Sequence, residues 1–195
     1  YSVTKAYPSA SIKYEVSDNT NAKLAYGKRV ARTTTFKMNH LPEREHAETL
    51  EQGDPDLRPE FIDLIELGID KKLSDENSVF ATAYYRNTKN VVNRVNTVYS
   101  DNILNRIYSN VGNAKTFGIE FGTQLKLTAK SDAFIGGNVY HYDLKGSFDN
   151  NPVNTNTTVY SFNANTNYRF WENATLQFSI NYISDRVTAQ GEDSR

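Results

Sequence analysis

The sequence feature that most constrains the fold is the alternation of apolar and polar residues over positions 116–127. One face of an extended strand at these positions is apolar and is broken only by Thr123; it carries Phe117, Ile119, Phe121, Leu125 and Leu127. The other face carries Gly118, Glu120, Gly122, Gln124 and Lys126. Because side chains alternate across a strand, the pattern predicts a strand with one apolar and one polar face. Its length suffices to cross a bilayer, which takes about 9 to 11 tilted residues.

Similar alternation recurs along the chain and predicts an all-β fold, an antiparallel up-and-down meander of about eight strands. The predicted strands occupy residues 10–16, 22–29, 61–73, 78–89, 116–127, 133–145, 159–170 and 174–185. Their connections are short at 17–21, 74–77, 129–132 and 171–173, and long at about 30–58, 90–113 and 146–157. The start of the connection at 90–113 is compatible with an extension of the preceding strand above the membrane. All short turns then lie at one end and all long loops at the other. That asymmetry is typical of bacterial outer-membrane barrels.

Composition permits a membrane barrel and excludes several other classes of protein. The chain of 195 residues has a net charge of -1, which gives no basic face for nucleic acid. It contains no cysteine, which excludes disulfides, thiolate catalysis and iron-sulfur clusters. Mean hydropathy is -0.65, and no run approaches the roughly 20 apolar residues of a spanning helix. A barrel strand shows only alternate residues to lipid, so a half-polar wall still spans a membrane.

Aromatic residues are abundant, and two interpretations of them stay open at this point. The chain has 13 Tyr and 10 Phe but a single Trp. Aromatic residues favour β structure, as in a soluble β-sandwich that acts as a binding module. Alternatively, many of the tyrosines form the aromatic girdles that flank the apolar band of a membrane barrel.

A proline-containing turn at 53–60 precedes one of the predicted strands and has the sequence Gly-Asp-Pro-Asp-Leu-Arg-Pro-Glu. Pro55 and Pro59 fix their own φ angles and favour extended backbone before them. Together with the following Glu66-Leu67-Gly68, the turn resembles the Asn-Pro-x-Leu-x-Pro-Glu turn and Glu-Leu-Gly strand of TonB-dependent outer-membrane receptors, particularly Bacteroidetes-type barrels. Asp54 stands where Asn is usual. The strand start Gly118-Ile119-Glu120 is also similar to that family.

The resemblance implies a location in the cell outer membrane and a role in transport. Receptors of this family are barrels of about 22 strands with a plugged lumen. They import siderophores, vitamins, glycans or peptides with energy passed from the inner membrane by the TonB complex. Residues 1–195 are expected to be a single barrel segment, the C-terminal barrel portion without a plug, with both ends inside a longer protein. The polar residues 190–195 resemble the start of another extracellular loop.

The ligand-binding residues predicted from the sequence lie in the long connection at 90–113. They are Arg94, Tyr99, Arg106 and Tyr108. Aromatic faces suit sugars or aryl groups, and arginine suits carboxylate or phosphate. The expected partners are outer-membrane lipid, a small-molecule, glycan or peptide ligand, and the TonB complex through other parts of the parent protein. Nucleic acid is not an expected partner, and no cofactor is expected.

No catalytic constellation stands out, so the chain is predicted not to be an enzyme. His40, His46, Glu43 and Glu45 match no tight metal-ligand spacing, and a solvated loop is the preferred interpretation. Residues 149–151 likewise lack the spacing of a calcium-binding EF-hand loop. Part of the charged run at 42–48 is compatible with a short helix. A complete small outer-membrane barrel, acting as an adhesin or a lipid-modifying enzyme, remains the alternative within the membrane class.

Overall fold

A computed structural model describes residues 5–100, 103–184, 186–188 and 191–193. Eight strands form one antiparallel meander, in which each strand pairs with its neighbours in the order given below. They are β1 (Ser9–Ser17), β2 (Thr20–Ala31), β5 (Glu60–Lys72), β6 (Ser78–Ser100), β7 (Ile103–Thr128), β8 (Ser131–Phe148), β9 (Asn151–Trp171) and β10 (Ala174–Ile183). The predicted all-β antiparallel meander of about eight strands is therefore confirmed.

Further short elements lie outside this path. The connection between β2 and β5 contains α1 (Thr35–Met38), β3 (Glu43–His46) and β4 (Thr49–Gln52). Near the end of the chain, β11 (Arg186–Thr188) and β12 (Gly191–Asp193) form a separate two-stranded sheet. Within the described residues no second large sheet packs on the meander, so the fold in this part of the chain is not a β-sandwich.

Strand register joins the separate alternating patterns into one apolar surface, which we call the outer face. One row across the sheet consists of Ile12, Leu24, Leu67, Ala83, Ile119, Val139 and Tyr160. Apart from Ala83, these side chains are exposed. A continuous apolar surface that large is unfavourable in water and suits contact with lipid.

A polar row ends this apolar surface on the side of the long connections. Four residues farther along each strand, the outer face carries Lys28, Asp63, Asn87, Lys115, Asp143 and Asn156. Tyr26 lies between the apolar row and the polar row, and its hydroxyl donates a hydrogen bond to Asp63 at 2.8 Å. An apolar ring with a polar tip fits a membrane-water interface, so the polar row marks the boundary of the membrane-spanning part.

The opposite face, which we call the inner face, is polar and combines glycines with aromatic rings. A methyl group on Gly118 would lie 2.6 Å from Cζ of Tyr84 and 2.7 Å from Cβ of Tyr140. The Tyr84 hydroxyl reaches across β7 and donates to the side-chain oxygen of Asn138 at 3.1 Å. The glycine thus gives the ring space to lie against the wall instead of projecting from it.

The predicted loop at 146–157 is wrong, and at 90–113 the strand extension continues much farther than the start of the segment, so both segments continue as strands in the described residues. β6 and β7 pair as far as Ser100 and Ile103, and β8 and β9 pair as far as Phe148 and Asn151. The β8–β9 turn needs only Asp149 and Asn150, which adopt φ of 47° and 62°, a region that Asn and Asp tolerate. Pairing satisfies the backbone groups that a long loop would leave to solvent.

The connection at 30–58 also differs from its prediction. The run at 42–48 is a β-hairpin arm rather than a helix, because β3 pairs with β4. The one short helix of this connection is α1, which begins after Thr34, whose hydroxyl accepts from the Lys37 backbone N–H at 3.5 Å. None of the helices in the described part of the chain is long and apolar enough to cross a membrane.

A small core packs the extended hairpins together beyond the polar row. It consists of the buried side chains of Val91, Val95, Val111, Ala114, Leu144 and Val153. The pairing of β6 with β7 is irregular at residues 88–92 and 110–114, and this irregularity changes the direction in which the side chains next to the core point. Gly112 adopts φ of 144°, and its partner Gly146 has no room for a Cβ next to the Val111 carbonyl oxygen. The long-connection end is therefore a packed structure built on the wall.

Candidate functional site

The structure brings together three of the four ligand-binding residues predicted from the sequence. Arg94 of β6 lies directly opposite Tyr108 of β7, and Arg106 lies two pairs farther toward the hairpin tip on the same face. They share the hairpin face that points away from Val95 and the small core, because neighbouring positions alternate. Tyr99 is not part of this group: it lies close to the tip of the hairpin and is 63% exposed.

The segment between β2 and β5 folds over to this hairpin and supplies the carboxylates of the site. β4 pairs in parallel with β7, from Thr49 opposite Leu104 to Gln52 opposite Ile107. This register places Glu51 beside Arg106 in the ladder and within reach of Tyr108 and Arg94. The Asn105 amide donates to Gln52 Oε1 at 3.0 Å on the other face of the same pairing.

Glu51 is the centre of the polar network. Its Oε1 accepts a hydrogen bond from the Tyr108 hydroxyl at 2.8 Å and lies 3.6 Å from Nη1 of Arg94. Its side chain is 14% exposed, whereas that of Arg94 is 43% exposed. The carboxylate is thus the buried partner, and the guanidinium group keeps an open side toward solvent.

A second carboxylate neutralises the second arginine. Nη1 of Arg106 lies 2.7 Å from Oε2 of Glu45, which belongs to β3. Both side chains are about a third exposed or less, at 27% and 31%. The two arginines of the hairpin are therefore paired with two glutamates from one segment, and the four charges cancel.

α1 covers the ring of Tyr108. Phe36 meets this ring edge-on, with 6.2 Å between ring centroids and 70° between planes. Lys37 places Nζ 5.4 Å from the ring centroid, which is within the range of a cation–π interaction. The ring thus contacts one apolar and one cationic side chain while its hydroxyl is held by Glu51.

This environment raises the pKa of Tyr108 above its ordinary value of 10.0. Burial is the largest cause, followed by the hydrogen bond to Glu51 and the negative charge of that carboxylate. Arg94 acts in the opposite direction. The residue lies beyond the polar row, outside the membrane-spanning part, and is a neutral hydrogen-bond donor at physiological pH.

Sequence reasoning missed Glu45, Glu51, Phe36 and Lys37 as members of this site. Each is separated from its partner in the hairpin by more than 40 positions. No pattern in the sequence between β2 and β5 predicts that part of it forms a strand beside β7. One signal was present in the sequence: the segment at 43–51 is acidic, whereas the hairpin at 90–113 carries two arginines, so the two have opposite charge. Charge alone does not specify which carboxylate meets which arginine.

No metal centre forms where histidines and glutamates cluster in the sequence. Across the part of the chain that the structure describes, no three His, Asp or Glu side chains come together in a way that could hold a metal ion. Two of the four residues in that cluster have other partners. Glu43 accepts from the Asn39 amide at 2.9 Å, and Glu45 pairs with Arg106.

Comparison with known proteins gives a family and a fold. A family model described as the outer membrane protein beta-barrel family matches residues 1–195. No curated protein sequence matches the chain. Similar solved structures include the siderophore receptor PirA from Pseudomonas aeruginosa, which is 15% identical with a TM-score of 0.59. That match covers 95% of this chain and 40% of the receptor.

Two further solved structures show the same wall architecture. The copper transporter OprC is 13% identical with a TM-score of 0.53, and the match covers 90% of this chain and 33% of OprC. A variant of the ferric enterobactin receptor PfeA from Pseudomonas aeruginosa, in complex with enterobactin, is 13% identical with a TM-score of 0.51. That match covers 95% of this chain and 36% of PfeA. The chain thus spans 33% to 40% of these three proteins.

The fold, the apolar outer face and the family match agree. At this level of identity the solved structures establish the fold, which is that of outer-membrane receptor walls. The predicted location in the outer membrane and the resemblance to receptor barrels are confirmed at the level of fold and family. This chain belongs to the outer membrane protein beta-barrel family.

Proposed function

We propose that the chain is a wall segment of a TonB-dependent receptor that imports a nutrient into the periplasm. The observation that carries this proposal is the match to the siderophore receptor PirA, which extends over 95% of this chain but only 40% of that receptor. A segment of that size supplies part of a barrel wall. The plug and the segment that contacts the TonB complex would then belong to other parts of the parent protein.

The open sheet supports a wall segment over the alternative of a complete small barrel. β1 and β10 lie at the two ends of the strand order and do not pair with each other in the described structure. A sheet in a membrane needs closure, because backbone groups in hydrocarbon have no water to bind. Additional strands would close this wall, and their number fixes the size of the lumen.

The extended β6–β7 hairpin is the proposed site of ligand capture. Loops and hairpins on a rigid wall commonly carry binding, and this one presents two arginines and two tyrosines. Arg94 and Arg106 suit the carboxylate or phosphate of a ligand, whereas Tyr99 and Tyr108 suit a sugar or an aryl group. A siderophore, a glycan or a peptide offers one or both of these features.

The ion pairs of the hairpin are weak enough for a ligand to replace. Exposed or partly exposed salt bridges contribute about 0 to 1 kcal/mol, whereas hydrogen bonds to charged groups within a closed site contribute about 1.5 to 3 kcal/mol. An anionic ligand would therefore displace Glu45 and Glu51 from the two arginines. Displacement would release these side-chain contacts of β3 and β4 while the backbone pairing of β4 with β7 remains, so capture would be coupled to rearrangement of the two glutamates.

Uptake by the full-length protein that carries this chain tests the proposal. The test variant combines Arg94→Gln, Tyr99→Ser, Arg106→Gln and Tyr108→Phe, and Arg169→Gln at the short-turn end is the matched control. Growth is measured with ferric siderophores, glycans or peptides as the sole source of iron or carbon. Uptake of the supported nutrient should fall at least tenfold in the test variant, while both variants assemble as heat-modifiable barrels.

Two outcomes separate the parts of the proposal. Uptake at the parental rate in a correctly assembled test variant would show that recognition lies outside these four residues. Uptake that persists in a strain without the TonB protein would instead exclude TonB-dependent import. A receptor that has no role in chemistry should also leave the nutrient chemically unchanged, which mass spectrometry of the imported compound checks.

A further inference from the structure

A groove lies between the end of β2, the start of β5 and the proline-containing turn at 53–59. Its volume is about 870 Å³, and Tyr7, Val30, Met38, Leu57 and Phe61 contribute to its walls. Small-molecule sites in proteins are concave, mostly apolar and of comparable size, about 300 to 1,000 Å³. The groove is distinct from the network around Glu51, since it contains none of Arg94, Tyr99, Arg106 or Tyr108.

The turn that forms one wall of the groove is held firmly in place. The backbone N–H of Arg58 donates to the side-chain oxygen of Asn110 at 2.8 Å, and the amide of Asn110 donates back to the Arg58 carbonyl at 3.0 Å. The Pro59 carbonyl accepts from the Asn90 amide at 3.2 Å, and Leu57 is buried. Because the backbone is fixed before any ligand arrives, a ligand in the groove would lose little affinity to ordering of the turn.

The groove carries positively charged side chains that are not neutralised by its own residues. Arg32 and Arg58 line it, and no ion pair or hydrogen bond engages either guanidinium group within the described residues. Lys5 lies beside it, with Nζ 3.8 Å from the centroid of the Phe61 ring. Asp56 is the one carboxylate among the lining residues that the structure describes. Among the lining residues, two arginines stand against one carboxylate, which favours an anionic occupant.

We propose that this groove binds an aryl carboxylate. Guanidinium groups bind a planar carboxylate through two parallel hydrogen bonds, and the Tyr7 and Phe61 rings with the apolar walls suit an aromatic body. Lys5 is already engaged with Phe61, so Arg32 and Arg58 are the anchors for the anion. This site concerns binding alone and does not depend on the import proposed above.

Fluorine NMR on the full-length protein that carries this chain, purified in detergent, tests the proposal with 4-fluorobenzoate as the probe. Wild-type protein should bind the probe, and Arg32→Gln combined with Arg58→Gln should weaken binding at least tenfold, as expected from the loss of two charge-assisted contacts. Arg169→Gln, far from the groove, is the matched control and should bind as the wild type does. The single variants Arg32→Gln and Arg58→Gln should each weaken binding, which keeps the test valid if the double variant does not fold.

Comparison compounds identify which feature of the probe is recognised. Neutral 4-fluorobenzamide should bind at least tenfold more weakly than 4-fluorobenzoate, and acetate should not displace the probe at equal concentration. Displacement by vesicles of phosphatidylglycerol but not by benzoate would assign the groove to a lipid phosphate and overturn the proposal. Absence of probe binding to wild-type protein, or equal binding to wild type and the double variant, would also overturn it.

Discussion

Tyr108 shows how a single side chain reports the state of the whole network. Its hydroxyl donates to Glu51, its ring contacts Phe36, and its cross-strand neighbour is Arg94. These contacts come from three separate elements, which are β4, α1 and β6. Any change that separates the β3–β4 segment from the hairpin must therefore alter the titration of this phenol.

The first prediction concerns that titration. Burial and Glu51 raise the folded-state pKa of Tyr108 above 10.0. The resulting stabilisation is fully present below pH 10 and is lost as the pH rises through the higher pKa of the folded state. The phenolate absorbance of wild type minus that of Tyr108→Phe should thus show a midpoint above 10. Glu51→Gln should lower the midpoint, and a difference spectrum with a midpoint at or below 10 would contradict the described contacts.

At the scale of single elements, the stability of the wall is most sensitive to added side-chain volume where two strands approach closely. The second prediction is that Gly146→Ala destabilises the packing of β7 on β8, because the new methyl group would collide with the Val111 carbonyl oxygen. Overpacking of this kind costs about 1 to 3 kcal/mol. Gly27→Ala is the control, since nothing lies within 4 Å of its added carbon. Thermal unfolding of the full-length protein in detergent should show a lower midpoint temperature for Gly146→Ala than for the wild type, and an unchanged one for Gly27→Ala. Equal midpoints for the two variants would contradict the close approach of β7 and β8.

The third prediction tests the assignment of the two faces within one strand. Phe121 belongs to the exposed outer face, whereas Gln124 lies on the inner face of β7. An arginine facing lipid near the middle of the membrane costs about 2 to 4 kcal/mol, but one facing the lumen is tolerated. Phe121→Arg should therefore reduce heat-modifiable barrel formation in the full-length protein, and Gln124→Arg should not. Equal effects of the two substitutions would contradict the face assignment, and the opposite pattern would reverse it.

At the scale of the whole molecule, the sequence predicted the wall well and its long-connection end poorly. The alternation around Phe117 and Phe121 is a local signal, so strands, faces and short turns could be predicted from it. The pairing of β4 with β7 and the contact of Glu51 with Tyr108 join distant positions, and no local pattern encodes them. The segments at 90–113 and 146–157 were not predicted as complete strands because Asn is frequent there, yet buried Val95, Val111 and Val153 fix them as strands.

The open edges of the wall also belong to this scale. β1 and β10 each have only one neighbour in the main sheet, and an unpaired strand edge presents free backbone donors and acceptors. Together with the apolar outer face, these edges lead us to expect that the wall needs lipid or detergent, and pairing with further strands, to be stable. We therefore expect the outer face to span a membrane, with the extended hairpins outside the cell and the short turns in the periplasm.

Single-cysteine labelling of the full-length protein in intact cells tests this orientation most directly. The chain contains no cysteine, and any cysteine elsewhere in the full-length protein is replaced by serine. Val98→Cys places a thiol near the tip of the β6–β7 hairpin, where Val98 is 79% exposed, and Glu172→Cys places one in the exposed turn between β9 and β10. A maleimide carrying a large polyethylene glycol chain cannot cross the outer membrane. We predict labelling of Val98→Cys in intact cells, and of Glu172→Cys only after the outer membrane is opened. Labelling of Glu172→Cys in intact cells, or protection of Val98→Cys, would contradict a membrane-spanning wall in this orientation.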